Sequence, residues 1–357
     1  MNRVLIVGCG DIAMRVARLL SSRYQLFGLI RNPLRAAELR AAGIVPLEGD
    51  LDDAHSLHRL SGLAHTVLHL APPSAAKQTP DSPRPNMNAE GEAVLTDTRT
   101  RNLIAALSRG RLPQRLIYIS TSGVYGDCSG AVVPETRPVH AQSLRAKLRV
   151  DAENQIRFWA KRSGVHTSIL RVPGIYAADR LPVERLHKGT PAIVDAEDGY
   201  TNHIHADDLA HSVISALRYA KSNRVYHTTD DSQMKMGEYF DAVADAFALP
   251  HAPRVTRAEA QRVLSPMLLS FMNESRRLTN TRMKHELKIE LRYPTVADTL
   301  NEIRAASFVP SPGCPAKSFS DDGGGLGRGE IRPYGLAEST PPVYVSPHQM
   351  QLPLPLS

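Results

Sequence analysis

The sequence predicts an α/β fold with a doubly wound parallel sheet. Strand-length apolar runs alternate with helical stretches through the first 180 residues, a glycine-rich turn follows the first run, and 42% of the 357 residues are hydrophobic. Strands that alternate with helices form parallel sheets with helices on both faces. The chain also has enough apolar residues for a large core.

Seven strands and five helices follow from the spacing of apolar residues along the chain. The strands are predicted over residues 3–8, 25–31, 44–48, 66–71, 115–121, 166–172 and 223–229. The helices are predicted over residues 14–21, 97–108, 141–163, 207–220 and 236–248. Residues 72–92 are rich in Pro, Ser, Ala and Asn, so they are predicted to form a loop over the ligand site.

The chain is predicted to divide into three parts. Residues 1–180 form the sheet domain, to which parts of 200–230 return, and residues 181–304 mainly form a small C-terminal subdomain. Beyond residue 304 the composition changes, because Phe308–Ser357 holds nine Pro and seven Gly without a periodic apolar face. We therefore expect residues 305–357 to be a disordered tail.

A dinucleotide-binding turn lies between the first strand and the first helix. Gly8, Gly10 and Ala13 form the pattern G-x-G-x-x-A. In a Rossmann-type unit the first glycine permits the tight turn, the second lets a pyrophosphate approach the backbone, and the alanine allows close packing of helix and strand. We predict that this loop, including Asp11 and Ile12, binds NAD or NADP.

Further cofactor contacts are predicted at the carboxyl ends of the next strands, where ligands bind in open parallel sheets. The second strand ends in Arg31-Asn32 instead of a carboxylate; this favours the 2′-phosphate of NADP over NAD, although Arg31 has a second interpretation as a solvated strand end. Asp50 fits either beside the adenine ring or as a helix cap. The remaining predicted cofactor residues are Leu51, Leu70, Ala71 and Pro72.

The charge and cysteine content restrict the partners and the compartment. The net charge is +7, but Lys and Arg are spread over several helices instead of one block, so nucleic acid is not expected as a partner. The cysteines number three and lie far apart, which fits a reducing compartment.

No apolar run approaches the roughly 18 residues that span a bilayer, and no leader-like segment is recognised. We expect a soluble cytoplasmic protein without membrane association.

Five segments carry a resemblance to a known family. They are Gly8–Ala13, Gly49–Leu51, Ser120–Gly126, Leu170–Tyr176 and Asn202–Ala210. In order and spacing the chain resembles the extended and atypical short-chain dehydrogenase/reductases, the NAD-dependent epimerase/dehydratase family, over residues 3 to about 300. The resemblance implies a Rossmann fold, a cofactor contact at Pro173, a sugar-like or carbonyl substrate, and a homodimer as one arrangement.

The resemblance also assigns catalytic positions, and the chain departs from the family there. Thr121 falls where a Ser or Thr binds the reacting oxygen, although it has a second interpretation as a residue that satisfies backbone groups at a strand end. The family's Tyr-x-x-x-Lys pair is replaced by Arg145 and Arg149. A guanidinium group stays protonated, so neither arginine is a general acid. They could clamp a phosphate or carboxylate, or form a solvated basic helix face.

Other polar residues have weaker functional interpretations. Tyr125 is a candidate proton donor, with core packing as the alternative. His203 and His205 have metal-ligand spacing, but in the resembled family this segment is a turn into a helix, so we predict no metal and expect Asp207 or Asp208 to cap that helix. The single tryptophan, in the predicted helix 141–163, is expected in the core.

Two functions remain as hypotheses. The first is an NAD(P)-dependent oxidoreductase or epimerase, with NADP as the preferred cofactor, that acts on a polar small molecule, anionic or nucleotide-linked. The second is a catalytically silent NAD(P)-binding sensor or interaction protein, because the tyrosine-lysine pair is missing.

Overall fold

The computed structural model describes residues 2–73 and 95–307. Most of the predicted loop over the ligand site therefore lies outside the described residues, as does the predicted tail from residue 308 onward. Fifteen strands occur within the described ranges. They are β1 (Asn2–Val7), β2 (Tyr24–Ile30), β3 (Ile44–Glu48), β4 (Thr66–His69), β5 (Arg115–Thr121), β6 (Val132–Val133), β7 (His166–Val172), β8 (Gly174–Tyr176), β9 (Ala192–Ile193), β10 (Tyr200–Thr201), β11 (His203–His205), β12 (Arg224–His227), β13 (Met234–Lys235), β14 (Arg254–Val255) and β15 (Arg277–Leu278).

The same part of the chain contains eleven α-helices. They are α1 (Asp11–Leu20), α2 (Ala36–Ala41), α3 (Thr98–Leu107), α4 (Leu144–Ser163), α5 (Val183–His187), α6 (Ala206–Tyr219), α7 (Met236–Ala246), α8 (Arg257–Val263), α9 (Pro266–Met272), α10 (Thr281–Leu287) and α11 (Val296–Ser307). Short 3-10 helices occur at Pro33–Arg35, Ala54–Leu60, Ser122–Tyr125, Ala178–Arg180 and Asp195–Glu197.

Seven strands form the central sheet, in the order β12-β7-β5-β4-β1-β2-β3. Every pair in this sheet is parallel. The strand order reverses between β1 and β4, so a crevice opens at the carboxyl ends of these two strands, where ligands bind in such sheets. The predicted doubly wound Rossmann-type fold is confirmed.

Helices cover both faces of the sheet, and each face has its own core. On one face, Val16 of α1 and Val213 of α6 are fully buried against the apolar side chains of the strands. On the other face, Leu103 of α3 and Ile156 of α4 are equally buried. Trp159 lies in this second core, where its indole nitrogen donates to the hydroxyl of Ser108. The expected core position of the tryptophan is therefore confirmed.

A third apolar cluster forms after β8, away from the sheet. It joins side chains of α5, α7, α8, α9 and α11 to strand β9, with Phe240 and Val243 of α7 among its buried members. Helix α6 and strand β12 instead pack with the central sheet. The role of the third cluster as a substrate-binding subdomain stays a prediction.

Several boundaries differ from the sequence prediction. Helix α1 begins at Asp11 instead of residue 14, directly after the glycine turn. Helix α4 begins at Leu144 instead of residue 141, because Ser143 caps it by accepting a hydrogen bond from the Ala146 N–H. Helix α11 continues to Ser307, so the first three residues of the predicted disordered tail are helical.

Candidate functional site

The glycine turn combines one crowded position with one open position. Gly8 has a φ of +98°, and a Cβ placed there would lie 2.5 Å from the backbone nitrogen of Ala71. Gly10 precedes helix α1, and a Cβ there would meet no atom within 4 Å. No side chain caps the helix at Gly10. The start of α1 therefore has no side-chain cap and has open space beside Gly10, which fits the pyrophosphate of a dinucleotide.

The side chains of the residues that follow the turn mainly make contacts within the protein. Ala13 is fully buried, and Ile12 packs partly buried against the same core. The Asp11 carboxylate forms ion pairs with Arg15 and Arg180. These three predicted cofactor residues can therefore contact a dinucleotide mainly through their backbone.

A cavity of about 310 Å³, which we call the glycine-loop cavity, opens beside this turn. Its lining includes Gly8, Arg31, Asn32, Arg35, Asp50, Leu51, Ala71, Pro72 and Arg99. It thus brings together seven of the predicted cofactor residues. Leu70 is not in the lining; it is partly buried, and its backbone nitrogen donates to the Val7 carbonyl.

Polar groups around this cavity distinguish between the two interpretations of Asp50. Its carboxylate lines the cavity and accepts a hydrogen bond from the Asp52 N–H at 3.0 Å, so it closes a local turn. The 3-10 helix that follows is capped by Asp53 instead. Asn32 caps the other nearby 3-10 helix by accepting from the Leu34 N–H. Asp50 is therefore not the cap of the next helix.

Two arginines of this cavity were not predicted from the sequence. Arg35 donates to the Cys9 carbonyl at 2.6 Å, and Glu38 accepts two further hydrogen bonds from it. Arg99 pairs with Asp52 at 2.6 Å, and hydrogen bonds from Arg99 keep the pKa of that carboxyl below its usual range. The exposed Arg31 adds a smaller lowering through its charge. Three arginines therefore lie around the glycine-loop cavity, and two of them, Arg35 and Arg99, are paired with carboxylates.

A second cavity of about 660 Å³, the strand-end cavity, lies at the carboxyl ends of β5 and β7. Its lining includes Ser120, Thr121, Arg145, Arg149, Pro173, Tyr176, Arg180, Arg185, Tyr200, His203, Tyr239, Phe240, Glu274 and Arg276. Five of these residues are arginines and one is a glutamate, so the lining carries an excess of positive charge. The cavity unites the predicted residues Thr121, Arg145, Arg149 and Pro173.

The surroundings of Thr121 are compatible with both of its interpretations, as a residue that binds the reacting oxygen and as one that satisfies backbone groups at a strand end. Its side-chain oxygen accepts a hydrogen bond from the Gly123 N–H at 3.3 Å, and it caps the 3-10 helix Ser122–Tyr125. Because that bond uses the hydroxyl oxygen only as an acceptor, the hydroxyl proton is still available to a ligand. Thr121 is partly exposed in the cavity wall.

Arg145 and Arg149 both line the strand-end cavity, but their surroundings differ. Arg149 donates to the Ile119 carbonyl at 2.6 Å and to the Tyr118 hydroxyl at 3.0 Å, so it braces the ends of the strands. Arg145 is more exposed; burial, followed by the charge of Arg149, lowers the pKa of its guanidinium. The two residues lie one turn apart on α4, so their charges add on the same side of the cavity.

Tyr125 does not reach the strand-end cavity. It is 1% exposed, and its hydroxyl lies 2.6 Å from Nε2 of His227 and accepts from Arg171 at 2.7 Å. His227 directs Nδ1 at the Thr279 carbonyl, so its Nε2 can accept the tyrosine proton. Burial raises the pKa of Tyr125. The candidate proton donor is therefore a core residue.

A buried ion pair beneath the cavity continues this network. Glu153 accepts two hydrogen bonds from Arg171, at 3.0 and 2.6 Å, and both side chains are almost fully buried. Glu153 also accepts from the Ser120 hydroxyl at 2.6 Å. Because Ser120 lines the cavity next to Thr121, the ion pair holds the end of β5 in place.

The His203–Asp208 segment is structural where α6 begins. His205 caps α6 by accepting from the Asp207 N–H at 3.2 Å, while the Asp208 carboxylate accepts from the N–H groups of Arg292 and Tyr293. The prediction that Asp207 or Asp208 caps this helix is wrong, because a histidine ring takes that role. His203 is buried, and burial lowers its pKa to about 4.

In residues 2–73 and 95–307, no three His, Cys, Asp or Glu side chains are placed to hold a metal ion. None of the helices described there is long and apolar enough to cross a bilayer.

Comparison with known proteins identifies the family. Residues 8–220 match a family model described as NAD(P)H-binding. The chain belongs to this NAD(P)H-binding family. The match begins at Gly8 and ends just after α6, so it covers the glycine turn and most of the central sheet.

Individual relatives match most of this chain. The chain is 25% identical over 257 residues to the uncharacterized protein C2A9.02 of Schizosaccharomyces pombe, and the match covers 70% of this chain and 81% of that protein. A solved structure of a functionally unknown conserved protein from Silicibacter pomeroyi has a TM-score of 0.67 at 26% identity, covering 87% of this chain and 100% of that chain.

An enzyme is among the structural neighbours. UDP-glucuronic acid 4-epimerase from Bacillus cereus, solved with UDP-glucuronic acid and NAD, has a TM-score of 0.64 at 18% identity, covering 86% of this chain and 100% of that chain. The family match confirms the expected NAD(P)-binding domain, and this neighbour shares the fold that the resemblance implies. A nicotinamide dinucleotide is the cofactor class that this family and the glycine turn share.

Proposed function

We propose that this protein is an NADP-preferring oxidoreductase or epimerase of the short-chain dehydrogenase type, acting on a small polar molecule with a phosphate or carboxylate group. The observation that carries the proposal is the composition of the strand-end cavity, which Thr121 lines together with five arginines and a single glutamate. Such a lining attracts an anionic ligand. UDP-glucuronic acid, the ligand of the Bacillus cereus epimerase, is an anion of this kind.

In this proposal the glycine-loop cavity binds the cofactor and the strand-end cavity binds the substrate. The open space at Gly10 and the start of α1 would hold the pyrophosphate, and Arg31 would face a 2′-phosphate in the glycine-loop cavity. When bound, the nicotinamide ring supplies hydride transfer. Thr121 would orient the reacting oxygen by donating its free proton. Arg145 and Arg149 remain charged, so they would contribute electrostatic stabilisation instead of proton transfer.

Proton exchange would then depend on other side chains of the strand-end cavity. Its uncharged groups that carry an exchangeable proton include Tyr176, Tyr200, His203 and Tyr239. Burial keeps Tyr176 and Tyr239 protonated by raising their pKa values. Neutral phenols and imidazole can donate a proton to a developing alkoxide, which a guanidinium does not do at neutral pH.

One observation favours the second candidate function, a silent NAD(P)-binding sensor. Arg149, at the family's lysine position, is already hydrogen-bonded to protein oxygens and braces the strands. A residue used in this way contributes to the fold even without catalysis. The two functions differ in one measurable property, because the sensor binds the cofactor without turnover.

The test measures binding and turnover separately. Purified protein is titrated with NADPH and NADH, and then incubated with either cofactor and a panel of sugar nucleotides, sugar phosphates and small carbonyl compounds. We expect tighter binding of NADPH and turnover of at least one anionic compound. Thr121→Ala should lower kcat for that compound at least about tenfold, as for loss of a catalytic hydrogen bond, while Thr121→Ser should retain it. Tight cofactor binding without any turnover would favour the sensor.

A further inference from the structure

Arg185 differs from the other cations of the strand-end cavity in its surroundings. It lies on α5 and lines the cavity, and its guanidinium carbon is 4.3 Å from the ring centroid of Phe240. The sulfur of Met272 is 4.0 Å from Nη2. Its Nε is buried and has no hydrogen-bond partner among the described residues. Arg185 is thus a half-buried cation held between an aromatic ring and a thioether.

Other arginines of this cavity are engaged by oxygen atoms of the protein. Arg180 pairs with Asp11 at 3.0 Å, and Arg276 pairs with Glu274 at 2.8 Å. Arg185 forms no salt bridge in the part of the chain that the structure describes, and burial is the only influence on its pKa, which falls to about 10. Removing a cation from water without a counter-charge costs free energy, so a ligand that supplies a negative charge would stabilise this arrangement.

The geometry around Arg185 also orients it for a ligand. The contact with the Phe240 ring restricts the position of the guanidinium. A guanidinium group can recognise an oxyanion by two parallel hydrogen bonds. Met236, Tyr239 and Leu268 also line this cavity, so its wall is partly apolar. Charge-assisted hydrogen bonds are stronger in such surroundings than at an exposed site.

We propose that Arg185 is the anchor for the anionic group of the substrate, binding its phosphate or carboxylate in the strand-end cavity while Phe240 and Met272 hold the guanidinium in place. This inference rests on the proposed function in one respect, namely that the strand-end cavity is the substrate site. The cavity of about 660 Å³ is much larger than a phosphate ion. The anion is therefore one end of a larger molecule whose other end reaches Thr121.

The first experiment measures anion binding directly. The protein is saturated with NADPH, so that the cofactor covers the glycine turn, and is then titrated by calorimetry with inorganic phosphate and, separately, malonate. We expect one of these anions to bind, with Arg185→Gln weakening it at least tenfold. Arg218→Gln is the control, because Arg218 is exposed on α6 and does not line this cavity; it should change the affinity less than threefold. The anion that binds identifies the substrate's group as phosphate or carboxylate.

A second measurement uses the unaltered protein and so does not depend on whether a variant folds. Phenylglyoxal modifies arginine side chains, and mass spectrometry locates the modified residue. We expect the anion that binds to slow modification of Arg185 at least fivefold while leaving the rate at the exposed Arg218 unchanged. Without protection at Arg185, or with equal anion affinity in Arg185→Gln and the parent protein, the proposal is overturned. Binding of neither anion to the parent protein also overturns it.

Failure of this proposal can be distinguished from failure of the proposed function. Anion binding that depends on Arg185, in a protein that turns over no compound, would support the anchor and contradict the enzyme. Turnover of an anionic compound whose KM is unchanged in Arg185→Gln would support the enzyme and contradict the anchor. If the anchor acts during turnover, Arg185→Gln should raise KM for the anionic compound at least tenfold, and Arg185→Lys should restore part of that loss.

Discussion

The two glycines of the dinucleotide-binding turn should respond differently to the same substitution. Gly8→Ala places a β-carbon at a φ of +98° and 2.5 Å from the Ala71 nitrogen. The unfavourable backbone conformation costs about 1–3 kcal/mol, and the crowding adds about 1–3 kcal/mol, so the loss of stability should be about 2–6 kcal/mol. For a domain of this size we expect the melting temperature to fall by about 5–15 °C.

Gly10→Ala is the matched control, because its added carbon meets no atom within 4 Å and its φ of −89° suits any residue. Its stability should stay within about 1 kcal/mol of the parent protein. The new methyl group nevertheless occupies the space where the pyrophosphate approaches the backbone. If this costs about 1–3 kcal/mol, affinity for NADPH falls roughly 5- to 150-fold.

The assays for this pair are thermal unfolding without cofactor, and NADPH titration followed by the fluorescence of the nicotinamide. Gly8→Ala should be unstable, and Gly10→Ala should be stable but deficient in binding. If folded Gly10→Ala bound NADPH as tightly as the parent protein, the pyrophosphate would not lie against this turn. If Gly8→Ala had an unchanged melting temperature, the account of the crowded turn would be incorrect.

Three other substitutions test the charges of Arg31, Glu153 and Asp230, the last of which is a buried aspartate that follows β12. Arg31→Ala should weaken NADPH binding by roughly tenfold relative to NADH, because a charge-assisted phosphate contact is lost; an unchanged preference in paired titrations would contradict the assignment. Glu153→Gln leaves the buried Arg171 without its counter-charge and should cost about 3–5 kcal/mol in urea unfolding; a loss below about 1 kcal/mol would show that the pair adds little. Asp230 is buried, which raises its pKa from 3.8 to about 7, so between these values the folded state keeps a proton that the unfolded state releases. Stability should therefore fall as pH rises through this window, by up to about 4 kcal/mol. Asp230→Asn should remove that contribution, which unfolding at pH 4 and pH 8 would reveal as a flatter pH profile; an unaltered profile would refute it.

The central sheet could be predicted closely from the sequence because its strands are buried on both sides. Residues Val4–Val7 are fully buried, so every position of that run must be apolar and the run itself marks the strand. The glycine turn was equally readable, since its requirements are local: one residue at positive φ and one without a side chain. The start of α1 was harder to predict, because nothing in the local sequence at Asp11 and Ile12 distinguishes a turn from a helix.

The candidate site was harder to predict because its side chains come from distant parts of the chain. Arg35 and Arg99 join the glycine-loop cavity from two different helices, and neither belongs to a recognisable motif. Tyr125 follows Thr121 so closely that it was a reasonable proton donor, yet the 3-10 helix turns its ring into the core. For Arg185 the only signal is the lack of a partner, which no sequence pattern displays.

Cys9, whose carbonyl accepts a hydrogen bond from Arg35, also carries a buried thiol. That thiol is buried and directs its sulfur at the carbonyls of Ile6 and Leu29, and burial raises its pKa to about 12. At neutral pH the thiol therefore stays protonated, whereas the thiolate is the form that reacts with peroxides and alkylating reagents. A cysteine at the centre of a nucleotide-binding turn is therefore protected from oxidation by the fold itself, and the turn should keep its shape under oxidative conditions that modify exposed thiols.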